Sequence, residues 1–189
     1  MFMKSLISVF FVVPLLIAGC NKDNKNKEVI KIEGFVLTDN LGNRISIIGS
    51  AGNDWKILDW SQLSSKEQSF LNFSDTVDLN NTVVSTLNDP IAFPNPFSSY
   101  SYIEFHSTDS VKVKLAIVNS SGQVLKTFAM KVKGYRPVVF DFSNDNLFPG
   151  GMSLRYYYSY SAASQQNFKA GYGDVKICKP LVFPVTSCF

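Results

Sequence analysis

The chain has 189 residues, with 18 basic and 15 acidic side chains and a net charge of +3. This length allows one or two domains and a sizeable apolar core. The basic residues are scattered along the chain, whereas a nucleic-acid-binding protein gathers them into a patch or stripe. Composition and charge therefore argue against nucleic acid as a partner.

Residues 1–19 have the organisation of a signal peptide. Lys4 supplies a short basic region, and a nearly uninterrupted apolar run follows over residues 6–17. That run is too short to span a bilayer as a helix, but it fits the apolar part of a cleaved signal. Two small residues then stand directly before Cys20, as signal peptidases require. An ordinary secretory signal followed by a chance cysteine is the alternative interpretation.

The sequence LIAGC at residues 16–20 resembles the lipobox of bacterial lipoproteins. In that family the cysteine carries a diacylglycerol, the signal is cut before it, and the new amino group is acylated. The resemblance implies that Cys20 is lipidated and anchors the chain in the cell envelope, at the periplasmic or surface face of the outer membrane. Each buried methylene contributes about 0.8 kcal/mol, so several acyl chains on one residue give a stable anchor. Residues 20–28 are polar and lack aromatics, which predicts a flexible tether.

Cys178 and Cys188 are the two remaining cysteines. Exported proteins occupy an oxidising compartment, so the two thiols can pair and close a small C-terminal loop, a gain of about 2–3 kcal/mol. The alternative, in which the two thiols are unpaired, fits the sequence equally well, because spacing alone does not give the geometry of a disulfide. Zinc is disfavoured, since His106 is the single histidine and is distant in sequence.

Residues 29–90 are predicted to form a small α+β region. Apolar runs on both sides of the turn-forming sequence DNLGN at 39–43 predict a β-hairpin. The sequence SSKE at 64–67 has the form of a capping box and predicts a short helix over 65–73. Residues 74–90 are mostly polar and are typical of a connector.

Residues 91–179 are predicted to be β structure. In residues 111–117 the odd positions are apolar and two even positions are lysines, the period of a half-buried strand. Gly134 is expected to separate two strands. Six or seven short strands without helices predict an antiparallel β-sandwich. The other alternating segments are 102–105, 124–132, 138–142, 152–160 and 173–178.

The segment FPNPF at 93–97 precedes these strands. Pro94 and Pro96 each fix φ and remove a ladder donor, which suits the edge-lying start of a sandwich. Phe93 and Phe97 share a face of an extended chain and are predicted to pack on the core. FPNPF therefore marks the predicted boundary between the two halves.

The order of motifs in the C-terminal half of the chain resembles that of the C-terminal sorting domain of Bacteroidetes type IX secretion cargo. The motifs are, in chain order, FPNPF, KLAIVNSSGQVLKTF, a lone glycine, VVFDFS, LFPGGMSLRYYY and GDVKIC. The resemblance covers residues 91–179 and implies a seven-strand, immunoglobulin-like β-sandwich. It also implies partners in the secretion machinery or the envelope. Cargo of that system normally ends at or just after the last strand, whereas this chain continues over residues 180–189.

The sequence contains no evident catalytic constellation. His106 is flanked by Ser107 and Asp109, but these neighbours are turn formers, and adjacency in sequence is not triad geometry. A small hydrolase with a carboxylate pair in the first half is a less favoured alternative, because solubility and helix capping explain those carboxylates better. We therefore predict a non-enzymatic binding or assembly module without a metal or cofactor.

A glycan-binding accessory lipoprotein is the main alternative. Aromatic rings stack on sugars, and the candidates are Trp60, Tyr157 and Tyr172, although a tryptophan more often fills a small core. Tyr157 is expected on the surface, because the even-numbered tyrosines of the same strand are in phase with Leu154 and should face the core. Those tyrosines are Tyr156, Tyr158 and Tyr160. Tyr172 is the other surface candidate.

Overall fold

The computed structural model describes residues 30–79, 86–143, 146–179 and 188. The predicted signal peptide, Cys20 and the tether lie outside these residues. Within them the chain is mainly β, with one short helix, α1, over Ser65–Phe70 and a 3₁₀ turn over Trp60–Gln62. The strands are β1 Gly34–Thr38, β2 Arg44–Gly49, β3 Leu58–Asp59, β4 Leu87–Phe93, β5 Tyr100–Asn119, β6 Val124–Asp141, β7 Ser153–Ala162 and β8 Gln165–Lys176.

The strands β1 and β2 form the predicted hairpin as a two-stranded antiparallel sheet. The other six form one antiparallel sheet in which β5 pairs with β4, β6 and β7, β7 pairs with β8, and β8 pairs with β3. Every strand pairing in both sheets is antiparallel.

The six-stranded sheet bends into two layers that face each other. The front layer consists of β4 with residues 100–107 of β5 and 134–141 of β6. The back layer consists of residues 111–119 of β5 with the first half of β6, β7, β8 and β3. The bend coincides with a register shift between Ser107 and Val111 on β5.

The predicted β-sandwich class is therefore confirmed, but the strand boundaries differ. Residues 102–105 and 111–117 belong to one strand, and Gly134 does not separate two strands. Gly134 adopts a φ of +67°, which L residues seldom reach, and lies opposite Ser107, where the ladder shifts. The glycine lets β6 bend into the second layer without ending. The sandwich sheet also includes β3, and its strand β4 begins at Leu87.

The core lies between the two layers and is strongly aromatic. Tyr156, Tyr158 and Tyr160 of β7 are fully buried, as their alternation predicted. The ring of Phe105, in the front layer, meets those of Tyr158 and Tyr160 edge to face, with centroids 6.0 and 6.1 Å apart. Such contacts add about 0.5–1.5 kcal/mol each beyond their buried area.

The capping box at α1 is present as predicted. Ser64 accepts a hydrogen bond from the backbone N–H of Glu67, whose side chain accepts one from the Ser64 N–H. The helix ends at Phe70, three residues earlier than predicted. In the part of the chain that is described, no helix is long and apolar enough to cross a bilayer.

Candidate functional site

The FPNPF segment forms a loop between β4 and β5 that contacts both the hairpin and the sandwich. Its two X–Pro bonds, Phe93–Pro94 and Asn95–Pro96, are cis. Asn95 pairs its backbone with that of Thr38 on β1, with N···O distances of 3.0 and 3.3 Å. The loop therefore links two sheets that the sequence pattern assigned to separate regions.

The side chain of Asn95 is 1% exposed and forms three hydrogen bonds. Its Nδ2 donates to the carbonyl oxygens of Val36 at 2.9 Å and Asp174 at 3.0 Å, and its Oδ1 accepts from the N–H of Lys176 at 3.0 Å. One amide thus satisfies backbone groups of β1 and β8 together. This buried amide holds the hairpin against the sandwich.

A groove with a volume of about 1120 Å³ lies between the hairpin and the outer face of the front layer. Tyr100, Tyr102 and Glu104 form part of its floor, because their neighbours at odd positions point into the core. The FPNPF loop closes one side. The remaining lining residues are Leu37, Thr38, Asp39, Asn40, Ile45 and Ser46 of the hairpin, with Ser98 and Pro137.

The surroundings of the groove expose much apolar surface. Eight large hydrophobic side chains are exposed in the described residues, and six of these belong to the hairpin or to the front-layer segments of β5 and β6. Tyr100 is 51% exposed and Ile45 is 66% exposed, and both line the groove itself. Soluble domains rarely gather exposed apolar residues in this way unless the surface binds something. The other four are Leu41, Ile47, Tyr135 and Val139.

The charged side chains that line the groove are both acidic, Asp39 and Glu104. Asp39 accepts hydrogen bonds from the backbone N–H groups of Leu41 and Asn43 and from the Asn43 side chain, each at 2.8 Å. These bonds, led by that of the Asn43 side chain, lower the pKa of Asp39, so its carboxylate stays ionised. The groove is therefore apolar with a negative rim.

A second polar cluster lies next to Asn95 but is buried. Arg155 forms a two-pronged ion pair with Asp174, with N···O distances of 2.7 and 2.6 Å. Asp54 is 3% exposed, its Oδ1 accepts from the Asp174 N–H, and its Oδ2 has no hydrogen-bond partner among the described residues. Burial, followed by the charge of Asp174, raises the pKa of Asp54 to about 8. The raised pKa of Asp54 predicts that the stability of the fold depends on pH.

The prediction that Tyr157 faces solvent is wrong. Tyr157 is 1% exposed, its hydroxyl donates to Glu67 of α1 at 3.1 Å, and its ring packs against Phe70. The outer face of the back layer is covered by residues 60–75, with Leu63 and Leu71 buried in the same cluster. Strand alternation identifies two faces but not which of them is covered.

The other two glycan-stacking candidates lie in the same packed cluster. Trp60 and Tyr172 are half-buried, and the ring centroids of Tyr157 and Tyr172 are 6.1 Å apart. The guanidinium of Arg155 lies over the Tyr172 ring at 4.4 Å. The three residues are brought together, but they form no open aromatic platform.

His106 and its neighbours form no triad. The imidazole packs against the Tyr135 ring with centroids 4.2 Å apart, and the Ser107 hydroxyl donates to the backbone carbonyl of Asp109. Within the described residues, no group of three or more histidines, cysteines or carboxylates is placed to hold a metal ion.

Cys178 and Cys188 form a disulfide, with their Cα atoms 5.9 Å apart. Cys178 is also tied to the FPNPF loop, because its N–H donates to the carbonyl of Phe97 at 2.7 Å. The crosslink therefore holds Cys188 close to the loop.

The groove was missed in the sequence because its residues resemble ordinary core positions. Ile45 lies in an apolar run of a predicted strand, where such a residue usually faces the core. Phe93 is predicted to pack on the core together with Phe97. In the structure Phe97 is buried, whereas Phe93 stacks on Tyr102 at 5.4 Å on the outer face. An isolated pair of prolines around asparagine was the one local signal of an unusual loop.

No family model and no curated protein matches this chain. Among solved structures, a Bacteroides fragilis protein assigned as a beta-galactosidase is 12% identical over 49% of this chain, with a TM-score of 0.31. The chain spans 15% of the length of that protein. A Niemann-Pick type C2 protein from the Japanese carpenter ant is 13% identical over 55% of this chain and 99% of its own, with a TM-score of 0.32. Neither likeness carries a functional argument.

Proposed function

We propose that this chain is a non-enzymatic binding module of the cell envelope, and that the groove between the hairpin and the front layer is its binding site. The observation that carries the proposal is the grouping of exposed apolar side chains on the strands around the groove. Covering one large apolar side chain contributes about 1.5–3 kcal/mol, so a ligand that covers two or three of them gains useful affinity. The ligand is therefore at least partly apolar.

Titration with an uncharged dye whose fluorescence rises in apolar surroundings, such as Nile red, tests the site. Ile45→Ser and Tyr100→Ser each remove apolar surface from the groove and should weaken dye binding by about tenfold, the equivalent of 1.4 kcal/mol. Ile47→Ser is the matched control, because Ile47 is 62% exposed on the same strand but does not line the groove. Equal losses in Ile47→Ser and Ile45→Ser would show that the dye binds elsewhere.

Attachment to the envelope is the second part of the proposal. It is supported by the sequence LIAGC before and at Cys20, and by the polar residues that follow. Cys20→Ser should abolish labelling of the protein by a clickable fatty acid in the native bacterium. Continued labelling of that variant would remove lipid anchoring from the proposal.

A role in type IX secretion or surface display is supported by the order of motifs over residues 91–179. If the domain acts as a sorting signal, a strain without that secretion system should no longer display the protein on the cell surface. Unchanged display would leave the domain as a folded module on a lipoprotein.

Glycan binding remains a second candidate, now located in the groove. The half-exposed ring of Tyr100 lies there beside the stacked pair Phe93 and Tyr102, and Glu104 offers an acceptor for sugar hydroxyls. A glycan array with wild type and Tyr100→Ser distinguishes the two candidates. Glycan binding by the wild type that is lost in Tyr100→Ser would support the glycan hypothesis, and an array without any binding would exclude it.

A further inference from the structure

We infer that the groove accepts an extended peptide that carries a lysine or arginine among apolar side chains. This inference rests on the proposed function, because it names the ligand class of the same groove. Three properties of the groove support it, namely its size, the free strand edge beside it and the sign of its charge.

The groove is large enough to hold several residues of an extended chain. Its volume is about 1120 Å³, near the upper end of the about 300–1,000 Å³ that small-molecule pockets usually enclose. Its residues come from the hairpin, the FPNPF loop, β5 and β6, so strands supply its floor and one wall. The side chains of an extended peptide point alternately to its two sides. A peptide in the groove could therefore place some side chains against the floor and others against the hairpin wall.

A free strand edge distinguishes a peptide from a sugar or a lipid. Among the described strands, β2 pairs with β1 alone and β6 pairs with β5 alone. Ile45 and Ser46 of β2 line the groove, so the open edge of β2 borders it. The β6 residue that lines the groove is Pro137, which has no N–H, so the edge that can pair with a peptide here is that of β2. An open edge presents unpaired N–H and C=O groups, which an added peptide strand can satisfy with its own backbone.

The charge of the groove specifies a basic side chain in the peptide. Asp39 and Glu104 are acidic, and no lysine, arginine or histidine is among the lining residues. Glu104 forms no hydrogen bond or ion pair with any described side chain, and it lies between Tyr102 and His106 on the strand that forms the floor. A cation placed over the floor would pair with Glu104 and lie near the Tyr102 ring.

Two matched fluorescent peptides test the inference. Each has about ten residues, roughly 33 Å when extended, with alternating valine and threonine and a single central lysine or glutamate. Fluorescence anisotropy with the intact protein at low salt should show the lysine peptide binding about two- to fivefold tighter than the glutamate peptide, as for an exposed ion pair. The preference should shrink at high salt.

Variants of the protein then assign the preference to the groove. Glu104→Gln should remove most of the preference for the lysine peptide. Asp109→Asn, a carboxylate on the same strand but outside the groove, should preserve it. Equal binding of both peptides, or the same preference in Glu104→Gln, would overturn the inference.

The outcomes separate this inference from the proposed function. If Nile red binds in a manner that depends on Ile45 and Tyr100 but neither peptide binds, the groove is a binding site and the peptide inference is wrong. A glycan-array signal that is lost in Tyr100→Ser, with no binding of either peptide, would likewise show that the groove is a binding site and that the peptide inference is wrong. If the dye does not depend on the groove, the proposed function itself fails.

Discussion

Replacement of Asn95 should destabilise the whole protein far more than its position in a loop suggests. Asn95→Ala removes three buried hydrogen bonds and leaves the carbonyls of Val36 and Asp174 and the N–H of Lys176 without that partner. An unpaired buried polar group costs about 1–3 kcal/mol. Allowing for partial access of water to Lys176, which is half-buried, we expect a loss of about 3–6 kcal/mol. Domains are stable by about 5–15 kcal/mol in total.

Asn95→Asp is the sharper version of the same test. The aspartate has almost the same shape, but an oxygen replaces the Nδ2 donor and faces two carbonyl oxygens that were 2.9 and 3.0 Å away. It also places a charge in a site that is 1% exposed. We expect a loss of stability at least as large as that of Asn95→Ala, although no volume is removed.

Urea denaturation followed by tryptophan fluorescence measures these changes, since Trp55 is buried in the core. Asn40→Ala is the matched control, because Asn40 is exposed in the hairpin turn and its replacement should change stability by less than about 0.5 kcal/mol. A loss below about 1 kcal/mol in Asn95→Ala would refute the reasoning. Two separate transitions would show that the amide holds the hairpin without supporting the sandwich.

Two further variants test the buried carboxyl and the crosslink. Asp54 keeps its proton to a pKa of about 8 when folded but releases it near pH 4 when unfolded, so stability should fall by on the order of 4–6 kcal/mol as pH rises from about 4 to 8 and then level off. Asp54→Asn should remove most of this dependence of stability on pH, measured by urea titrations at several pH values. An unchanged dependence would assign it to other groups, such as Asp174, because burial also raises the pKa of Asp174. Cys188→Ser opens a loop closed between positions ten residues apart and should cost about 2–3 kcal/mol, measured under non-reducing conditions against wild type. The same loss in wild type after addition of reductant, with none in the variant, would assign the effect to the disulfide.

The features predicted correctly from the sequence depend on short-range periodicity. The odd positions of 111–117 are buried because side chains alternate along a strand, and Ser64 caps α1 because it stands three residues before Glu67. Neither prediction needs knowledge of distant residues. The same alternation located Tyr156, Tyr158 and Tyr160 in the core.

The features that were missed depend on pairs of residues far apart in the chain. Tyr157 is buried because α1 lies over it, and its hydroxyl partner, Glu67, is 90 positions away. Asn95 bonds with residues 59, 79 and 81 positions away, and no local pattern signals such a network. The groove likewise requires the hairpin to be placed beside the front layer.

The FPNPF loop couples the stability of the fold to the shape of the groove. The side chain of Asn95 donates to the carbonyl of Val36 on β1, and all five residues of the FPNPF loop line the groove. The next residue of β1, Leu37, also lines the groove, so the bond from Asn95 to Val36 fixes the distance between wall and floor. A variant at Asn95 that still folds should therefore bind ligands less tightly. The FPNPF segment, which the sequence pattern predicts to be a boundary, is the contact through which the hairpin and the sandwich together form the groove.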